Sequence, residues 1–273
     1  MKICFHSHCF PDVLAPRAVA ALAENAKTVG MTPHTDGTAA GTLRYLQGFG
    51  IDTAMICNIA TNPHQEHKVN DFAISLAEGG KLFAAGSIHP ESEDPEGEMD
   101  RLRAAGIKGI KIHPDYVRVE VDDPRYDRIF ALAEERGFFV VTHTGFDPVS
   151  PDRIYATAQG LFHVVQKHPK LKLIAAHMGG INQTKEVLRL LVGTSIWFDT
   201  SLSGLKTEWC DREREWDDLR VILKEHSTDR ILFGTDTPWS QPEREILFLE
   251  NSGLSPKALE AIFANNAKKL LQI

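Results

Sequence analysis

The stretch DPRYDRIFALAEERGFFVVTH, residues 123–143, carries the pattern that decides the fold. It opens on Asp123-Pro124, a helix-start signal with Pro at or near the first helical position. Over 127–136 the apolar residues Ile129, Phe130, Leu132 and Ala133 fall on one face of a helix. Past Gly137 comes a short β-rich run, 138–143. Its period of two puts Phe139, Val141 and His143 on one side and Val140 and Thr142 on the other. A helix leads into a short apolar strand, and a polar residue closes the strand.

The same alternation recurs outward in both directions. Strands are expected at 3–8, 53–59, 82–89, 106–113, 138–143, 171–177, 195–200 and 230–236. All are short and apolar, and most are flanked by Gly, Pro, Asp or Asn, as strands buried on both faces should be. Further amphipathic stretches lie at 186–192 and 256–271, and Asp94-Pro95, Ser150-Pro151 and Ser255-Pro256 read as helix starts. Alternating strands and helices without long gaps imply a parallel sheet. Eight such cycles in 273 residues predict a (β/α)8 TIM barrel, an α/β fold of about 250 residues, as a single domain over 1–273.

Composition narrows the partners. With 42% hydrophobic and 25% charged residues the chain is neither disordered nor a coiled coil. Thirty Lys+Arg against 37 Asp+Glu give a formal charge of −7, which argues against nucleic acid as a partner. No apolar run approaches the ~20 residues of a membrane span. The first residues lack a signal peptide's apolar stretch. Cys4, Cys9, Cys57 and Cys210 form no C-x-x-C pair and read as reduced thiols, so a cytoplasmic protein is expected. A small-molecule substrate is the expected partner, and a homodimer stays open.

In a parallel barrel the active site lies at the carboxyl ends of the strands. Here those ends carry His6-Ser7-His8, His89, Lys111-Ile112-His113, His143, His177 and Asp236. An H-x-H alone carries little weight in a chain with 12 His. Its position carries more, because i and i+2 of a strand face one side and can converge on one ion. Adding His143 and Asp236 makes three imidazoles and a carboxylate, a donor set suited to Zn²⁺ or another divalent transition metal. Lys111 shares a face with His113, which makes it a candidate for substrate-anion binding or for carbamylation as a bridging ligand. Trp239, in DTPW, is a candidate pocket wall. His64 and His67 in HQEH read as helix surface, as does the run DREREWDD at 211–218.

At these residues the sequence resembles the amidohydrolase-2 branch of the metal-dependent amidohydrolase superfamily, which includes aminocarboxymuconate-semialdehyde decarboxylase. The resemblance runs from HSHCFPD at His6 through DGTAAGTLRYLQGFGID at Asp36, GIKIHPDY at Gly109, VVTHTGFD at Val140 and LIAAHMGG at Leu173. It continues with ILFGTDTPW at Ile231 and IFANNAKKLL at Ile262. It implies that His6, His8, His143 and Asp236 hold one metal ion, with a second ion open, and that His177 is a catalytic group rather than a primary ligand. Lys111 and His113 carry over as pocket residues. The family usually has Asp two residues before the first His of H-x-H, where this chain has Cys4. Cys4 shares the face of His6 and His8, so the hydrogen bonding beneath the metal is expected to differ.

Three functions fit these residues. The first is hydrolysis of a C–N or C–O bond by water activated on the ion, with Asp236 as proton acceptor. The second is non-oxidative decarboxylation of a small aromatic or enol acid, for which Arg17, Arg118 and Arg153 in expected loops are candidate anchors of a second carboxylate, with surface exposure the preferred reading of each. The third is a catalytically silent metal- or ligand-binding barrel.

Overall fold

The computed structural model describes residues 1–208 and 210–273. Each of the eight windows holds a strand: β1 (Ile3–Ser7), β2 (Thr53–Cys57), β3 (Phe83–Ala85), β4 (Gly109–Ile112), β5 (Phe139–Thr142), β6 (Lys172–Ala175), β7 (Trp197–Asp199) and β8 (Ile231–Leu232). The helix starts follow from capping. Asp94 accepts from Gly97 N–H at 2.9 Å, Asp123 from Arg125 N–H at 2.9 Å, and Ser255 from Ala258 N–H at 3.2 Å. Each cap satisfies an orphan donor and contributes about 1 kcal/mol. Ser150-Pro151 is the exception and begins a turn. Its Ser150 hydroxyl donates instead to the buried Asp115 carboxylate at 2.6 Å, a partner that no local pattern announces.

Two compact units make up the chain, residues 1–56 with 199–273 (unit 1) and residues 57–198 (unit 2). In unit 1, β1 pairs in parallel with β2 (Ile3↔Thr53, Cys4↔Ala54), and the register shifts between Cys4 and Ser7. On its other side, β1 meets the segment of β8: Phe5 N–H donates to Phe233 C=O at 2.6 Å and His8 N–H to Thr237 C=O at 2.6 Å. Ile3, Phe5, Leu46, Leu232, Phe233, Phe248 and Ile262 are buried around them. Fully burying such a side chain is worth about 1.5–3 kcal/mol.

Deep in unit 1 lies a carboxyl, Glu245, that accepts from Gly204 N–H at 2.8 Å and from the Ser240 hydroxyl at 2.7 Å. Burial pushes it up to about 8. Arg212 is also fully buried and donates to Glu215 at 2.8 Å. The expected solvent face at 211–218 is therefore only partly one, because this guanidinium turns inward toward a carboxylate partner.

In unit 2, β4, β5, β6 and β7 pair in parallel in chain order, with Lys111 opposite Val141 and Val141 opposite Ile174. Gly109 lets β4 approach β5: a Cβ there would stand 2.2 Å from the Phe139 ring. The helix Pro124–Arg136 buries Tyr126, Ile129, Phe130, Leu132 and Ala133, the apolar face read from the sequence. It stops at Gly137, whose φ of +71° suits glycine.

Candidate active site

Unit 1 brings His6, His8 and Asp236 together. His6 lies one residue before the end of β1, and His8 lies just past it. Asp236 follows β8 with φ +62°, a left-handed conformation that Asp tolerates better than most residues. Its backbone N–H donates to the His6 carbonyl at 2.8 Å, which locks the two segments side by side. Asp236 Oδ1 then stands 3.0 Å from His8 Nε2 and 3.4 Å from His6 Nε2. On the far side of the ring, His6 Nδ1 lies 2.8 Å from Asp199 Oδ2, and both residues are fully buried. With Nδ1 engaged by that carboxylate, Nε2 is the ring nitrogen that faces Asp236. Ser201 donates to Asp199 through both its N–H, at 3.0 Å, and its hydroxyl.

This donor set fits a divalent ion. Two imidazole Nε2 atoms meet one carboxylate oxygen, and the His6 ring is oriented by a buried carboxylate, the usual support of a metal-bound histidine. Cys4 lies beneath, fully buried, with Sγ 3.2 Å from the His6 carbonyl, the Ser7 hydroxyl and the Thr235 hydroxyl. Burial pushes its thiol up, so it stays neutral. Cys4 thus supplies an uncharged hydrogen-bonding group at this position. Trp239 N–H donates to the Asp236 carbonyl at 2.8 Å, which keeps Trp239 beside the acid.

Unit 2 gathers a second group. His113, His143 and His177 follow β4, β5 and β6 and are all buried. The His113 and His143 rings stack with centroids 4.2 Å apart, and His177 Nε2 lies 3.2 Å from His143 Nδ1. Asp147 Oδ2 stands 3.6 Å from His113 Nε2 and 3.7 Å from His143 Nε2, while Asp115 Oδ2 is 3.9 Å from His143 Nε2. Burial pushes Asp115 up to about 6. The loops after β5 and β6 run backbone against backbone: a Cβ on Gly145 would come within 2.3 Å of Ile181 N. Lys111 is 1% exposed within β4.

Of the sequence-derived residues, His6, His8, Asp236 and Trp239 lie in unit 1, and Lys111, His113, His143 and His177 in unit 2. The three arginines are exposed at the surface, the expected reading of each. Arg17 lies in the helix Ala15–Lys27, Arg118 is exposed, and Arg153 is exposed and paired with Glu120. His64 and His67 are exposed, as expected. Sequence reasoning missed Asp199, Ser201, Asp115 and Asp147. Asp199 had a signal, since it closes β7 as Asp236 follows β8, whereas the other three had none beyond being polar and near a strand end.

The amidohydrolase family profile matches residues 61–273. No curated protein matches the sequence. Among solved structures, an uncharacterized TIM-barrel protein from Bordetella bronchiseptica is similar at a TM-score of 0.76 and 19% identity, over 99% of this chain and 98% of that one. The 5-carboxyvanillate decarboxylase of Novosphingobium aromaticivorans, complexed with manganese and 4-hydroxy-3-methoxy-5-nitrobenzoic acid, is similar at 0.68 and 14%, over 100% and 96%. A protein provisionally designated 2-pyrone-4,6-dicarboxylic acid hydrolase, from Pseudomonas putida, is similar at 0.67 and 15%, over 99% and 97%. At these identities the likeness concerns the fold: the chain has the (β/α)8 TIM-barrel architecture that its strand–helix alternation predicts. Among the described residues no helix is long and apolar enough to cross a membrane.

Proposed function

Because this chain belongs to the amidohydrolase family, whose enzymes are of the metal-dependent type, we propose that it hydrolyses a C–N or C–O bond of a small carbonyl substrate. The observation that carries the reading is the meeting of His6 Nε2 and His8 Nε2 on Asp236 Oδ1. These three residues hold a divalent ion, with His143 as the fourth ligand that the family resemblance implies. Zinc suits the imidazole-rich set, and the whole chain, 1–273, works as one catalytic domain in the cytoplasm. The four free cysteines, all buried, accord with a reducing compartment.

When bound, such an ion acidifies water and polarises a carbonyl oxygen. Asp236 accepts a proton from the attacking water and returns it to the leaving group. Asp199 holds the His6 ring so that Nε2 stays aimed at the donor set. His177 donates toward the oxygen on which negative charge develops, a contribution of about 2.7–4 kcal/mol for donors of this kind. Lys111 and His113 receive the rest of the substrate, and Trp239 walls the pocket.

A second reading, decarboxylation of a small aromatic acid, is favoured by the likeness to the manganese-containing 5-carboxyvanillate decarboxylase. Metal-loaded protein assayed on lactones, amides and aromatic carboxylates separates the two. Hydrolysis without CO₂ release is the expected result. CO₂ release alone transfers the assignment to the second reading, and inertness across the panel leaves only the silent metal-binding barrel.

A further inference from the structure

We infer that Glu245 is a positioning residue for the metal ligands of unit 1: its buried carboxyl ties the loop that carries Asp199 to the turn that carries Asp236. The inference deepens the proposed function and rests on it, since the ion concerned is the one assigned to His6, His8 and Asp236.

The string SQPEREILFLE at Ser240 places an acid where a helix pattern calls for an apolar residue. The helix Pro242–Glu250 buries Pro242, Glu245, Phe248 and Leu249, residues three and four apart that share one face. Glu245 is the charged member of that face and is 0% exposed. An apolar side chain would pack there without needing partners, whereas a carboxyl costs desolvation unless hydrogen-bond donors meet it. The destinations of its hydrogen bonds are therefore informative.

Two separate loops supply the donors. Glu245 Oε2 accepts from Gly204 N–H at 2.8 Å, and Oε1 accepts from the Ser240 hydroxyl at 2.7 Å. The Ser203 hydroxyl also hydrogen-bonds with this carboxyl, and it donates to the Thr200 carbonyl. Gly204 lies five residues after Asp199, and Ser240 lies four after Asp236. Thr200 stands between Asp199 and Ser201, whose N–H and hydroxyl both donate to the Asp199 carboxylate. In the other loop, Trp239 N–H donates to the Asp236 carbonyl at 2.8 Å, so Ser240 follows directly on the turn that Asp236 opens. One side chain bridges the stretch that orients His6 and the stretch that presents the ligand carboxylate.

Both stretches need holding. Leu202 and Asp236 have φ of +58° and +62°, left-handed conformations that residues with side chains keep only where their surroundings fix them. The loop after β7 also lies directly on the helix, since a Cβ on Gly204 would stand 2.5 Å from Arg244 Cβ. Glu245 bonds to the loop at that point of contact. The separations that depend on the two loops are short: 2.8 Å from Asp199 to His6, and 3.0 and 3.4 Å from Asp236 to His8 and His6. Drift of either loop lengthens them and spreads the donor set.

The test reads Zn²⁺ affinity of the full chain, stripped with a chelator, by competition against a chelating dye. Glu245→Met fills a similar volume without accepting a hydrogen bond. It should bind Zn²⁺ about 10-fold more weakly, the lower end of what supporting groups around a metal contribute. Glu245→Gln keeps a carbonyl acceptor and should restore wild-type affinity. Saturation with Co²⁺ adds a readout that a merely structural role would not move: the visible bands should shift in Glu245→Met and return in Glu245→Gln. If Glu245→Met does not fold by far-UV circular dichroism, Ser240→Ala carries the test. It cuts only the tie to the Asp236 turn and should also weaken binding. Wild-type affinity with unshifted bands in the folded variant overturns the positioning role and leaves the proposed function intact, as does a Glu245→Gln that binds no better than Glu245→Met. Failure of the underlying reading looks different: Asp236→Asn would then bind Zn²⁺ as tightly as the wild type, and both assignments fall.

Discussion

Unit 1 and unit 2 each set two imidazoles beside carboxylates, yet at different separations. In unit 1, His8 Nε2 and His6 Nε2 stand 3.0 and 3.4 Å from Asp236, and Asp199 grips the other nitrogen of His6 at 2.8 Å. In unit 2 the corresponding distances are 3.6–3.9 Å, and the Oδ2 of Asp115 takes no hydrogen bond among the described residues. A contracted set has its charges partly satisfied by one another. An expanded one holds the same kinds of group beyond direct bonding distance of each other. The difference teaches that residue types alone do not define an ion site, since the spacing imposed by the loops decides which atoms hold each other.

The largest expected effect tests the contracted set. Asp236→Asn should lower turnover about 10²–10⁴-fold, the range of a positioned proton acceptor, and should also lower bound metal. Unchanged kcat with full metal content would move the chemistry out of unit 1. Asp199→Asn comes next. It weakens the grip on His6 Nδ1 and should cost about 10–100-fold in metal affinity, read by competition against a chelating dye. Were affinity to stay at the wild-type level, the contracted spacing would not depend on Asp199.

Scaffold effects are smaller. Gly109→Ala pushes a methyl into the Phe139 ring and should destabilise the chain by about 1–3 kcal/mol in thermal unfolding. Absence of any shift would mean that β4 and β5 can move apart and that the spacing in unit 2 is not rigid. The last effect is a slope. Glu245 is raised from 4.5 to about 8, so between these values the folded chain holds a proton that the unfolded chain has released. Stability contributed by this group is therefore present below about 4.5 and is lost as pH rises toward 8, by at most about 1.4 kcal/mol per unit. Glu245→Gln should flatten that decline, seen as a melting temperature that changes less between pH 5 and pH 8. An unaltered slope would assign the pH dependence to other groups, with the unit 2 carboxyls as the next to test.

Much of this architecture was legible in the chain. Every expected strand window contains a strand, but each observed strand is shorter than its window. At the carboxyl ends of β5, β6 and β8 the residues His143, His177 and Asp236 lie outside the ladder. The convergence of His6 and His8 on Asp236 was legible from strand period and position. Burial of Arg212 inside DREREWDD was not, because its partner and the fold around it, rather than its neighbours in sequence, draw it inward. Nor was Ser150, which passed for a helix cap until its hydroxyl met Asp115 thirty-five positions away.

Read alone, the amino-acid order determined the succession of strands and helices and the kinds of donor that end the strands, since both depend on periodicity and on local capping. Only the tertiary structure decided that Asp199 orients His6 across 193 positions and that Asp115 and Asp147 stand just beyond bonding distance of His143. The physical reason is that a hydrogen bond or a shared ion is set by tenths of an ångström between groups remote in the chain. Such distances arise from the packing of whole loops, which no local pattern encodes.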